Sequence, residues 1–108
     1  MIKLSALIVL LLVSTLHART DKGQKIYMNT CKECHKSGQA MCKSRNMRVW
    51  KKVMSDNGQQ LATLHTSSKK AQGSWEYFKS AGFSKDSKHL RDFLTTYAKD
   101  SGNIPACD

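Results

Sequence analysis

The sequence predicts an all-α domain of about five short helices. Three observations carry this. Apolar residues recur at helical spacing, most plainly Leu90, Phe93, Leu94 and Tyr97 at i, i+3, i+4 and i+7. Alternating apolar–polar runs and β-branched clusters, the marks of strands, are scarce. The only proline is Pro105, so nothing interrupts a helix before the tail.

The chain opens "MIKLSALIVLLLVSTLHA". A positive Lys3, an almost wholly apolar run over residues 4–13 and a small-residue close at Ala18 have the layout of a secretory signal peptide. The run is short for a membrane span, which needs about 20 residues. Residues 1–18 are therefore read as a signal peptide cleaved near Ala18 rather than kept as a membrane tether. Residues 19–108 then form one small exported domain. A chain of that size builds a modest core and needs a staple: disulfides, a metal or a large buried cofactor.

The helices follow in order. "TDKGQKIYMN" offers a polar start at Thr20 or Asp21, with Gln24 as a capping-box partner three residues after Asp21. "SRNMRVWKKVMSDNG" starts at a capping Ser44, repeats Met47, Trp50 and Met54 at helical spacing and ends at Asn57-Gly58. "QQLATLHTSSKK" puts Leu61, Leu64 and His65 on one face. "SWEYFKSAG" runs from Ser74 to a stop at Gly82. "SKHLRDFLTTYAKDSG" ends before Gly102.

The chemistry lies in "CKECH", residues 31–35. A structural zinc site needs four ligands, usually two pairs, and only one pair is present. A thioredoxin-like site needs a strand and a βαβ setting, and neither is visible. Cys-x-x-Cys-His in an exported chain reads instead as covalent attachment of one c-type haem. Thiols with two residues between them reach the two vinyl groups on one porphyrin edge. Cys31 and Cys34 are thus the expected thioether residues, and His35 the proximal iron ligand.

Around this motif the chain resembles the class I cytochromes c. Gly23, Tyr27 and Cys31 follow that family's order of glycine, aromatic and haem motif. "DFLTTYAKD" supplies Phe93, Leu94 and Tyr97 where the family has a last helix crossing the first. The tail "FLTTYAKDSGNIPAC" is similar to small periplasmic monohaem cytochromes of the Campylobacter and Helicobacter group. The resemblance covers roughly residues 20–36 and 87–100. It implies a cytochrome c-like bundle around one haem, and Gly23, lacking a side chain, would let the two helices approach closely.

The family's usual distal ligand is a methionine shortly before the last helix, yet no methionine follows Met54. In the family, the helix before that ligand loop lines the distal face, and His65 sits on the corresponding helix. His65 is the expected distal ligand, with His89, Met41, Met47, Met54 and an open position as alternatives. Methionine would raise the reduction potential relative to a second histidine. An open position would turn the reading toward a gas sensor or peroxidase-like enzyme.

With Cys31 and Cys34 taken by haem, Cys42 and Cys107 remain, and export favours a disulfide between them. Two independent thiols, or pairing between chains, are the alternatives. The formal charge is +10, and loss of Lys3 with the signal leaves +9. An exported chain rarely meets nucleic acid, so the basic charge is expected to face an acidic protein, a redox protein or an exported dehydrogenase subunit, or else an anionic membrane, with solubility alone as the plainer alternative. Lys32, Lys36 and Lys43 flank the haem motif. No acid–base pair, nucleophile triad or phosphate loop accompanies it. The expected function is single-electron transfer in the periplasm.

Overall fold

The computed structural model describes residues 20–105; the signal-peptide reading and Cys107 lie outside them. All regular structure among the described residues is helical. Residues 20–30 belong to α1, followed by α2 (Gly38–Lys43), α3 (Met47–Val53), α4 (Ser55–Thr66), a 3-10 helix (Lys69–Ser74), α5 (Trp75–Lys79) and α6 (Ala81–Thr96). None of these helices is long and apolar enough to cross a membrane.

Local chemistry sets most boundaries. The Ser37 hydroxyl accepts from the Ala40 N–H at 3.2 Å and starts α2. Asn46, not Ser44, caps α3, accepting from the Val49 N–H at 2.9 Å. Ser44 closes α2 instead, its backbone N–H donating to the Met41 carbonyl at 3.1 Å. The choice is made by the tail: the Asp100 carboxylate accepts from the Met47 N–H at 2.8 Å, and the Lys99 N–H donates to the Arg45 carbonyl at 3.0 Å. Ser80 ends α5 and starts α6, where its hydroxyl accepts from the Phe83 N–H at 3.3 Å. Gly82 therefore lies inside α6 and is not the stop expected from the sequence.

Between α3 and the body of α4 the backbone turns left-handed over three residues, with φ 52° at Asp56, 57° at Asn57 and 74° at Gly58. This is the break expected at Asn57-Gly58. Gly58 is doubly required, because a Cβ there would also meet Phe83 Cζ at 2.7 Å.

The spine of the fold is α6, which packs against α2, α3, α4 and α5. Its inner face, Phe83, Leu90, Phe93 and Leu94, meets Tyr27, Cys42, Trp50, Val53, Met54, Ala62 and Ala98 in one core. The Trp50 ring nitrogen donates to the Cys42 carbonyl at 2.9 Å and fixes α3 to α2. The expected crossing of first and last helices is present. A Cβ on Gly23 would lie 2.1 Å from the His89 carbonyl oxygen and 2.7 Å from Phe93 Cβ, so only glycine permits the approach. Tyr27 and Phe93 continue the contact, ring centroids 5.9 Å apart.

Candidate functional site

The 31–35 motif is the turn in which α1 ends. The Cys31 N–H donates to the Tyr27 carbonyl at 2.8 Å, and the His35 N–H to the Cys31 carbonyl at 3.1 Å. The Tyr27 hydroxyl donates to the Lys36 carbonyl and pins the far side of the turn. Cys34 and His35 are exposed and Cys31 is half-buried. The Cys31 thiol is pushed up to about 11, first by burial, then by the Asp86 charge and by Cys34. It is a thiol, not a thiolate, at neutral pH.

Opposite this turn stands His65, near the end of α4. The His35 and His65 rings lie 5.9 Å apart between centroids, with their planes at 73°. Desolvation lowers the pKa of His35, and the neighbouring His65 lowers it further. His65 is held from three sides. Its Nδ1 lies 2.8 Å from the Leu61 carbonyl, which, as a hydrogen-bond acceptor, assigns the proton to Nδ1 and leaves Nε2 for a metal. Its ring stacks on Phe78 at 4.1 Å and 25°. Its own carbonyl accepts from the Trp75 ring nitrogen at 2.7 Å.

The pair tests the fit to a haem iron. A metal–imidazole bond of about 2.0–2.1 Å on each side, plus about 1.15 Å from nitrogen to ring centre, puts two opposed imidazole centres about 6.3–6.5 Å apart. The observed 5.9 Å lies about half an ångström short of that spacing. Cys31 and Cys34 are not bonded to each other and stand on the same turn as His35, as attachment at two vinyl groups requires. The residues present fit the group. No three of the described His, Cys, Asp or Glu residues gather into a cluster able to hold a metal ion alone.

The other candidates stand elsewhere. Met54 is buried in the core, and Met41 and Met47 pack against that core. His89 lies at the α1–α6 crossing, with its Nδ1 buried and lacking a hydrogen-bond partner. Leu64, expected to share a buried face with His65, is 52 % exposed, whereas Leu61 packs against the core. Of the three lysines beside the motif, Lys43 is engaged, its ammonium donating to the carbonyls of Asn103 and Ala98.

Sequence reasoning missed the aromatic support around His65. Trp75, Tyr77 and Phe78 sit within four residues of one another, and that density was the available sign. Tyr77 donates to the Asp86 carboxylate at 2.7 Å, and its own pKa is raised by burial and then by that bond. Comparison of the chain with protein-family models, with curated proteins and with solved structures found no match.

Proposed function

We propose that the chain is an exported monohaem c-type cytochrome of class I type that passes single electrons between redox partners. Haem c would be held through Cys31 and Cys34, with His35 and His65 as its two axial ligands. The observation that carries this reading is the facing pair: two imidazoles 5.9 Å apart, one of them on the Cys-x-x-Cys-His turn. When bound, the haem supplies the one-electron chemistry.

The chain's own residues orient and shield. The Leu61 carbonyl selects the His65 tautomer, an outer-shell contact of the kind that fixes a ligand's ring and raises its basicity. Two imidazoles give a lower reduction potential than a histidine–methionine pair. A ligand pair of two histidines departs from the family's usual histidine and methionine. It also argues against the open sixth position that a gas sensor or peroxidase-like enzyme would need.

A Cys42–Cys107 disulfide belongs to the same reading. Cys42 is buried with its Sγ 3.7 Å from the Phe93 carbonyl oxygen. Lys43 beside it already holds the tail at Asn103, four residues before Cys107. Export to the periplasm would let the bridge form. The partner is an acidic redox protein or an exported dehydrogenase, drawn to the basic charge.

The test is expression with c-type maturation machinery, followed by mass and absorption measurement. One haem mass on the chain, and a low-spin six-coordinate spectrum without a methionine-to-iron charge-transfer band, are expected. His65→Ala should become high-spin or water-ligated and bind carbon monoxide when ferrous. Wild-type protein that takes up no haem would overturn the cytochrome reading. An unchanged spectrum in His65→Ala would overturn the ligand pair.

A further inference from the structure

Resting on the histidine pair just proposed, we infer that Phe78 is a positioning residue that sets the plane of the His65 imidazole steeply across that of His35. The geometry divides into what fixes the ring and what fixes the fixer. The hydrogen bond from Nδ1 to the Leu61 carbonyl anchors one edge of the His65 ring. The face of Phe78, stacked at 4.1 Å and 25°, determines how the ring turns about that edge. Phe78 is itself clamped by edge-to-face contacts, to Tyr77 at 5.3 Å and to Phe83 at 4.8 Å. Phe83 is a core residue, 3 % exposed. The plane of His65 is thereby tied, through one intermediate ring, to the interior of the fold.

The consequence follows from coordination chemistry. An imidazole on iron donates π electrons through the orbital perpendicular to its ring. Two parallel rings act on one iron d orbital and split the pair of orbitals that accept this donation. Two rings at a steep angle act on both orbitals and leave them nearly equal in energy. The angle here is 73°. A ferric low-spin iron between such rings gives one dominant, highly anisotropic paramagnetic resonance signal instead of a three-feature rhombic spectrum. Phe78 thus acts through His65 on the electronic state of the oxidised carrier.

The experiment is low-temperature paramagnetic resonance of the haem-loaded ferric protein, read beside its absorption spectrum. Wild type should show the single anisotropic signal. Phe78→Leu removes the stacking face and should lose that signal to a rhombic spectrum, while absorption stays low-spin and six-coordinate. Phe78→Met, an adaptable apolar replacement, should do the same, and Phe78→Tyr, which restores a flat ring, should keep the wild-type signal. A rhombic spectrum in wild type overturns the angle. An unchanged signal in Phe78→Leu or Phe78→Met overturns the role of Phe78. A high-spin or methionine-ligated absorption spectrum in wild type overturns the histidine pair and this inference with it, and absorption alone distinguishes that failure from the other two.

Discussion

At the α1–α6 crossing the chain's own side chains fill the space, whereas on the face carrying His35 and His65 they leave it partly open. The crossing is closed by Tyr27, Phe93 and Leu94, none more than 4 % exposed. The histidine face holds exposed Cys34 and His35 and half-buried His65 and Phe78. A chain this small has few apolar residues to distribute. It spends them on one core around α6. The second face is organised by hydrogen bonds and ring stacking, which aim side chains without excluding solvent. That division is what a cofactor-binding chain of this size requires under the proposed reading: one region folds on its own contacts and the other presents ligands.

The comparison breaks first at Gly23. Gly23→Ala puts a methyl group 2.1 Å from the His89 carbonyl oxygen, which is backbone and cannot rotate away. Overpacking of this kind costs about 1–3 kcal/mol and occasionally more, and the upper end is expected here. Against a total stability of roughly 5–15 kcal/mol, the loss should lower the thermal midpoint by many degrees. A melt of haem-loaded Gly23→Ala that overlays the wild type would show that the crossing is looser than the 2.1 Å approach implies.

Gly58→Ala should follow. The left-handed conformation, φ 74°, costs a residue with a Cβ about 1–2 kcal/mol. The new methyl would also press on the Phe83 ring edge at 2.7 Å. Phe83 contacts Phe78, so this variant should disturb the His65 support as well as stability. Chemical denaturation gives the first effect, and the ferric resonance signal the second. A stability loss with no spectroscopic change would separate the two regions more sharply than the aromatic contacts imply.

The closed region was the more legible one from sequence. Helical spacing in Leu90, Phe93, Leu94 and Tyr97 announces α6, a local pattern in which each residue's own chemistry carries the information. The close crossing at Gly23 is implied by the resemblance, through the order of Gly23, Tyr27 and the Cys-x-x-Cys-His motif. The Ser44 and Gly82 boundaries were misread because the deciding partners are distant. Asp100 and Lys99 reach back to the start of α3, and Ser80 competes with Gly82 for the same junction. The helix α2 and the 3-10 helix lack apolar periodicity, so no pattern announced them. On the open face, His65 was singled out by a missing methionine and a helical register. Its contacts with Phe78 and Trp75 depend on how the 3-10 helix folds back on α4, which no local rule fixes.

A smaller effect is expected at Leu64, and it separates the regions by state. Leu64→Ser changes a 52 % exposed side chain, so the haem-free chain should shift by no more than about 0.5 kcal/mol. Under the proposed reading, with the haem lying over Leu64 beside His65 in the chain, haem-loaded protein should lose more. Denaturation of both forms checks it. Equal losses with and without haem would mean that Leu64 does not face the cofactor.

The smallest expected effect concerns a buried polar fault in the closed region. His89 sits where α6 meets α1, its Nδ1 buried without a hydrogen-bond partner. Its pKa is lowered from 6.5, first by burial, then by Lys22 on α1 and Lys88 on α6, against weaker opposition from Asp92 and Asp86. A histidine with a depressed folded pKa binds fewer protons folded than unfolded. Its contribution is therefore fully present above the unfolded value of about 6.5 and is lost as pH falls through the folded value. The thermal midpoint of haem-loaded protein should thus fall between about pH 7.5 and about pH 5.5, the range in which an ordinary histidine titrates. His89→Leu should fall less over the same range, since leucine has no proton to take up. The effect is modest because the ring is only half-buried and solvent screens its charge. Carboxylates titrate in both proteins, so the quantity that matters is the difference between the two curves. Parallel curves would show that protonating His89 does not strain the crossing, and that the helices tolerate a charge where their backbones tolerate no methyl group.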